Sequence, residues 1–183
     1  MSKKKKGENV ILIGFMGSGK TTMGIRLSYK LQIPVEDTDK IIESMEGMKT
    51  SEIFAEKGEA YFRKKETQLL ESISASSSRK IYSLGGGTPM LPQNQGLICK
   101  CGKVIYLRAK AETIYDRLKN DTSRPLLQCE DPAERIRSLL EMRDPIYMRC
   151  ADFVVEVDDC DQAELLTKIL EYLNTENNPT SEQ

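Results

Sequence analysis

A layered α/β fold, α/β/α with a central parallel sheet of five strands, is what this sequence predicts, on three observations. Strand-like runs alternate with amphipathic stretches along the chain, the pattern of successive βαβ units. The first run is unbrokenly apolar instead of alternating, as in a strand covered on both faces. It then enters a glycine-rich turn followed by a helix-like stretch, and sheets of this class bind ligands at the carboxyl ends of their strands.

Taken in order, Val10 to Ile13 is β-branched and aliphatic and closes at Gly14. Met23, Leu27 and Leu31 recur every four residues, so Lys20 to Gln32 reads as an amphipathic helix that Pro34 stops. Val35 to Asp37 makes a short second strand, and Asp39 to Met48 a helix ending in the turn around Gly47. Thr50 to Lys57 is a further helical piece, which Gly58 separates from a longer helix, Glu59 to Ala75. Phe62, Glu66, Leu69, Leu70 and Ile73 mark one face of that helix, and Ser76 to Ser78 break the pattern. Lys80 to Leu84 gives a third strand running into Gly85, Gly86 and Gly87. Val104 to Leu107 is the fourth strand and Phe153 to Val157 the fifth, with helices between. Two late helices carry start signals, Asp131 with Pro132 and Glu134, and Asp161 with Glu164.

A chain of 183 residues can bury a core without disulfides or a structural metal, and residues 9–173 read as a single domain. Residues 1–8 read as a flexible basic start and residues 174–183 as a polar tail that burial cannot order. The run Lys3 to Lys6 is either a solvated terminus or a weak patch for anionic surfaces. A net charge of −1 gives no nucleic-acid footprint, and no stretch reads as a signal peptide or membrane span. Five scattered cysteines without C-x-x-C spacing read as reduced thiols, so the expected setting is cytoplasmic. The absence of histidine removes Ser-His-Asp and Cys-His nucleophile activation and the usual zinc sites. Proton transfer therefore falls to carboxylate, lysine, tyrosine or cysteine.

Gly14 to Thr21, GFMGSGKT, matches G-x-x-x-x-G-K-[ST] between an apolar strand and a helix, where a phosphate-binding loop has to lie. Glycines let main-chain amides wrap phosphate oxygens, Lys20 adds a point charge at the transferable phosphate, and Thr21 offers a hydroxyl to Mg2+. Asp37 and Asp39, two apart in an extended segment, can both face the cleft, one toward a metal and the other toward an acceptor hydroxyl. Alternatively, Asp39 only caps the following helix. Any one of Arg63, Arg124 and Arg143 alone reads as a surface arginine; together they suit an anionic acceptor if they converge, which spacing does not show. Gly85 to Gly87 fits either a main chain that touches a ligand or a tight turn. The polar, proline-containing stretch from Asn120 to Glu130 is a candidate lid.

Together these residues resemble the shikimate kinase family. The resemblance runs from Val10 to about Leu173 through GFMGSGKTT at Gly14 to Thr22, DTD at Asp37 to Asp39, and IFAEKGEAYFRKKE at Ile53 to Glu66. It continues through SLGGG at Ser83 to Gly87, SRPLL at Ser123 to Leu127 and RDPIY at Arg143 to Tyr147. It implies a P-loop kinase of the nucleoside monophosphate kinase-like type, with a substrate-binding region at about residues 38–75 and a mobile lid at about 120–131. The implied reaction is transfer of the γ-phosphoryl of ATP to the 3-hydroxyl of shikimate, with Mg2+, by a monomer without nucleic-acid or membrane partners.

By the same resemblance, Gly17, Ser18, Gly19, Lys20, Thr21 and Thr22 hold the ATP phosphates, and Arg117 packs on adenine. Thr21 and Asp37 serve the metal. Asp39 binds the acceptor hydroxyls and takes the proton, while Arg63 and Arg143 clamp the carboxylate. Gly85, Gly86 and Gly87 line the acceptor pocket, with Gly86 offering its amide, and Phe54 and Phe62 form the pocket wall. Lys20, Asp39 and Arg124 are the implied catalytic set, Arg124 reaching the transferring phosphate from the lid. With a free-aspartate pKa of about 3.9, Asp39 is expected to orient the hydroxyl more than to pull its proton. The chain departs from the family pattern in two places. VDDCDQ at Val157 to Gln162 stands where relatives carry basic residues and a proline near the adenine, and Ser83, not an aspartate, ends the third strand.

Overall fold

The apolar run near the start forms β1, Asn9–Ile13, and every one of its residues is buried. The computed structural model describes residues 8–121 and 129–175 of the chain. The Lys3 to Lys6 run, Arg124, most of the proposed lid and nearly all of the polar tail lie outside the described residues. Among the described residues the remaining strands are β2, Val35–Asp37; β3, Ile81–Ser83; β4, Gly102–Arg108; and β5, Phe153–Glu156. The helices are α1, Lys20–Leu31; α2, Thr38–Glu46; α3, Thr50–Lys57; α4, Glu59–Ala75; α5, Pro92–Cys101; α6, Ala111–Leu118; α7, Pro132–Cys150; and α8, Gln162–Thr175.

The strands make one parallel sheet in the order β2-β3-β1-β4-β5. Pairing sets Val10 opposite Ile81 on one side, and Ile11 opposite Val104 on the other. Because side chains alternate along a strand, β1 feeds both faces. Val10 and Leu12 pack with Met23 and Leu27 of α1 and with Leu165 and Ile169 of α8. Ile11 and Ile13 pack with Leu70 and Ile73 of α4, Ile98 of α5 and Tyr147 of α7. These two cores are what make the molecule three layers deep. A smaller cluster, Ile42, Ile53 and Phe62, ties α2, α3 and α4 together.

The order of the strands also opens the cleft. The connection from β1 leaves through α1 on one face, and the one from β3 leaves through α5 on the other. Neighbouring parallel strands whose connections part in this way leave a crevice at their carboxyl ends. Both glycine-rich segments, after β1 and after β3, therefore open onto the same place.

Two boundaries differ from expectation for local reasons. Helix α2 begins at Thr38, one residue early, because Asp37 is its cap. Pro145, which reads as a breaker, lies inside α7, and the helix continues through it to Cys150. Arg108 of β4 grips the neighbouring Asp144 with two hydrogen bonds, Nε to Oδ1 at 2.8 Å and Nη2 to Oδ2 at 2.9 Å. Tyr106 adds a third to Oδ1 at 2.8 Å. Tertiary bonds thus hold the segment where the intrahelical ladder lacks a donor.

Among the described residues no helix is long and apolar enough to cross a membrane. Since Leu12 is fully buried, Leu12→Ala should lower the unfolding free energy by about 3 kcal/mol, measured by urea titration of the far-ultraviolet signal.

Candidate active site

The loop after β1 turns tightly into α1, with Gly19 in the left-handed region at φ 98°. Lys20 is buried to 9% exposure, and its Nζ donates to the carbonyls of Gly14 at 2.8 Å and Phe15 at 2.9 Å, which bends the ammonium back over the loop. The Ser18 hydroxyl oxygen is buried and finds no hydrogen-bond partner among the described residues. Thr21 and Thr22 stand exposed in the first turn of α1. At the outer edge of the loop, Arg117 Nη1 donates to the Gly17 carbonyl at 2.9 Å. Gly17, Gly19, Lys20, Thr21, Thr22, Asp37, Asp39, Gly85, Gly86 and Arg117 all line one cleft of about 580 Å³.

Asp37 and Asp39 share that cleft for a reason that strand spacing does not supply. Asp37 ends β2 and caps α2, its Oδ1 accepting from the amides of Asp39 at 3.0 Å and Lys40 at 3.3 Å. Capping therefore falls to Asp37, and the Asp39 side chain is released from it. Oδ1 of Asp39 is buried without a hydrogen-bond partner among the described residues. Burial, followed by the charges of Asp37 and Glu66, raises its pKa from 3.8 to about 6, against the pull of Lys20 and Arg63. A carboxylate with that pKa is a better proton acceptor near neutrality than a free aspartate.

The glycines after β3 allow this crowding. A Cβ on Gly85 would lie 2.5 Å from Asp39 Oδ1, and one on Gly87 would lie 2.6 Å from Arg63 Nη2. Arg63, on α4, is held from both sides. Its Nη1 donates to Glu66 Oε2 at 2.7 Å, while its Nε and Nη2 donate to the exposed Glu59 at 3.1 and 2.9 Å. Glu66 is only 2% exposed and also accepts from the Thr88 hydroxyl. Burial raises its pKa above the ordinary glutamate value.

Arg143 of α7 lies with its guanidinium carbon 5.4 Å from the centre of the Phe15 ring, beside the glycine-rich loop of β1. One turn on, the buried Tyr147 hydroxyl donates to the Gly86 carbonyl at 2.6 Å. Burial pushes that hydroxyl up to about 12, opposed by the charge of Arg143, a hydrogen bond from it, and the charge of Arg63. The field of both arginines thus meets at one tyrosine, while Arg63 and Lys20 both act on Asp39. Arg63 and Arg143 stand beyond the nucleotide-sized cleft, joined to it through Gly85 to Gly87. Phe54 is partly exposed and meets Phe62 edge-on at 4.9 Å, but Phe62 itself is buried in the α2–α3–α4 cluster. It backs Phe54 and Arg63, its ring centre 5.9 Å from the Arg63 guanidinium, instead of facing the hollow.

Thr21 and Asp37 offer a hydroxyl and a carboxylate, the hard oxygen donors that suit Mg2+. Among the described residues no group of three or more acidic, cysteine or histidine side chains forms a cage. Such a pair fits an ion that takes its remaining ligands from phosphate oxygens and water.

Sequence reasoning gave no role of their own to Glu66, Tyr147 and Phe15. For Glu66 the signal was present: a carboxylate on the apolar face of α4, three residues after Arg63. Tyr147 and Phe15 read as ordinary aromatic residues.

Because the raised pKa of Asp39 disfavours its charged form, the stability it contributes is full below pH about 4 and is lost as pH rises through about 6. At pH 7 Asp39→Asn should be the more stable protein by roughly 1–3 kcal/mol, and the difference should vanish near pH 4. Chemical denaturation at the two pH values measures this.

Comparison with known proteins gives the family of the whole chain. The family model described as shikimate kinase matches residues 16–174. The shikimate kinase of Thermodesulfovibrio yellowstonii is 40% identical over 174 residues, 94% of this chain and 99% of that protein. That of Caldanaerobacter subterraneus subsp. tengcongensis is 42% identical over 152 residues, covering 83% of this chain and 88% of the relative. Among solved structures, shikimate kinase from Acinetobacter baumannii in complex with shikimate superposes with a TM-score of 0.85 at 34% identity, over 93% of this chain and 94% of that one. Deoxyadenosine kinase from M. mycoides with bound dATP shares the fold at a TM-score of 0.60 and 18% identity. A glycine-lysine-threonine loop, a carboxylate sharing its cleft, an arginine behind the glycines of β3 and another over Phe15 are thus found in a chain that belongs to the shikimate kinase family.

Proposed function

We propose that this protein transfers the γ-phosphoryl group of ATP to the 3-hydroxyl of shikimate, giving shikimate 3-phosphate and ADP, a step of aromatic amino-acid biosynthesis. One observation carries the residue assignments: Oδ1 of Asp39 is buried and unpartnered among the described residues, and the carboxyl lies within the fields of both Lys20 and Arg63. An acceptor alcohol is the donor that oxygen lacks.

In this reading the triphosphate lies along the loop from Gly17 to Thr22, with Lys20 leaving its carbonyl partners for the β/γ-phosphates and Ser18 gaining a partner. The base rests toward Arg117. The acceptor carboxylate takes the guanidinium edge of Arg63 that Glu59 now occupies, with Arg143 closing from α7. Glu59 is 70% exposed at its side chain, so it yields readily to a better-placed carboxylate. Glu66 stays, holding Nη1 and fixing the direction of the fork. Gly85 to Gly87 bring main chain against the ring, since side chains there would collide with Asp39 and Arg63.

The acceptor oxygen then attacks the γ-phosphorus and its proton passes to the Asp39 carboxylate. The bond from phosphorus to the β–γ bridging oxygen breaks, and its electrons leave with ADP. Mg2+ held at Thr21 and Asp37 would neutralise charge on the phosphate oxygens. Positioning and charge stabilisation account for most of the rate enhancement in such transfers, and this arrangement supplies both. Arg124, on the segment outside the described residues, is assigned to the transferring phosphate, and closing of residues 120–131 to water exclusion. A cytoplasmic, monomeric enzyme without nucleic-acid or membrane partners completes the reading.

Release of ADP from ATP and Mg2+ should be strongly stimulated by shikimate; stimulation by gluconate or a nucleotide instead would reassign the acceptor. Asp39→Asn should abolish turnover and leave ADP affinity within about twofold, by calorimetry, because the loop that binds phosphate is untouched. Arg63→Ala should raise KM for shikimate at least about tenfold, since it removes a charge-assisted bond and leaves the buried Glu66 without its cation.

A further inference from the structure

The turn after β3 is three glycines long, and part of what holds it in one shape comes from outside it. Glycine populates more backbone conformations than any other residue, so such a run keeps a fixed course only where its polar groups are tied. The carbonyls of Gly85 and Gly87 are tied within the turn, accepting from the amides of Thr88 and Met90 at 3.0 Å each. The Gly85 amide donates to the Thr38 hydroxyl at 3.2 Å. The Gly86 carbonyl differs, because its donor is a side chain of α7, the Tyr147 hydroxyl at 2.6 Å. Tyr147 is fully buried and its ring packs 5.0 Å from that of Tyr106, so the hydroxyl is delivered from a fixed ring. The same hydroxyl takes the hydrogen bond from Arg143. Gly86 also lies at the seam of the site. A Cβ there would come 3.4 Å from the Gly14 carbonyl oxygen, 3.5 Å from the Met16 amide nitrogen and 3.6 Å from the Tyr147 hydroxyl. Its neighbours border the acceptor groups, Gly85 against Asp39 and Gly87 against Arg63. The peptide from Gly86 to Gly87 is trans, so a donor on its carbonyl also fixes the direction of the amide on its opposite edge.

We propose that Tyr147 is a positioning residue for the transfer: through the Gly86 carbonyl it sets how the glycine turn lies between the phosphate loop and Asp39, and so how the acceptor alcohol lines up with the γ-phosphorus. The inference rests on the kinase reading above and adds to it a residue that works from behind the site. Without the hydroxyl, the Gly86 carbonyl loses its partner and three successive glycines are free to shift as a unit. A displacement of about 1 Å can cost on the order of a hundredfold in rate, while the groups that bind the two substrates stay within reach of them. Turnover should therefore suffer more than affinity.

Tyr147→Phe tests this in the full chain, since it keeps the ring and removes only the oxygen. With kcat counted per ADP-binding site by calorimetry, any unfolded fraction drops out of the comparison. The variant should lose about tenfold in kcat, with KM for shikimate within about threefold and ADP affinity within about twofold of the parent. Arg143 is the competing route, because it meets the same hydroxyl. Tyr147→Phe made on top of Arg143→Ala should therefore lower kcat again by a similar factor. An unchanged kcat in Tyr147→Phe, an effect confined to KM, an ADP affinity outside that limit, or no further fall in the Arg143→Ala background overturns the assignment. A parent that shikimate fails to stimulate would instead count against the kinase reading, so the two failures are distinguishable.

Discussion

Asp39, Glu66 and Arg63 have to share one crowded space against Gly85 and Gly87, and most of the site is arranged around that constraint. Asp39, Glu66 and Arg63 are drawn together behind the glycines of β3, with Lys20 acting on Asp39 from the phosphate loop. Burial, and after it the negative charges of Asp37 and Glu66, raise the pKa of Asp39 against the pull of Lys20 and Arg63. Glu66 has Arg63 and Thr88 as partners, and Asp39 Oδ1 has none among the described residues. The group without partners is the one left free for chemistry. Stability is given up there in exchange for a carboxylate that accepts a proton near neutral pH.

The sheet makes this possible by separating support from function. β1 is buried on both faces and joins the two cores, so its carboxyl end is one of the most rigid points in the molecule. The phosphate loop hangs from it and the glycines of β3 lie beside it. Short motifs then divide their labour by residue. In the segment from Arg143 to Tyr147, the arginine goes to the hollow, Asp144 is gripped by Arg108 of β4, and Tyr147 reaches the Gly86 carbonyl. In the segment from Phe62 to Glu66, the phenylalanine is core, Arg63 faces the hollow and Glu66 aims it. Arg63 thus has a neighbour three residues away that fixes its direction, which is what a geometry-dependent reaction requires.

Much of this was legible beforehand. Unbroken apolar runs and the glycine-lysine-threonine turn are local signals, and β1, α1, β3 and the phosphate loop came directly from them. Asp37 and Asp39 are legible as a pair with separate roles, but which of them caps α2 is not, because that depends on where the backbone turns, by a single residue. Phe62 is an aromatic residue in a functional motif that the packing of α2, α3 and α4 draws into the core, which no local pattern signals.

The sequence alone was enough to establish a parallel sheet with a phosphate-binding turn, since hydrophobic period and glycine spacing act over a few residues. Convergence was decided only by the tertiary structure. Arg63 and Arg143 lie eighty positions apart, and no local rule places them at one tyrosine; that follows from α4 and α7 packing on the same face of the sheet. The raised pKa of Asp39 and its Oδ1, unpartnered among the described residues, belong to the same class. Burial and missing partners are properties of the space between elements, and that space exists only after they have packed.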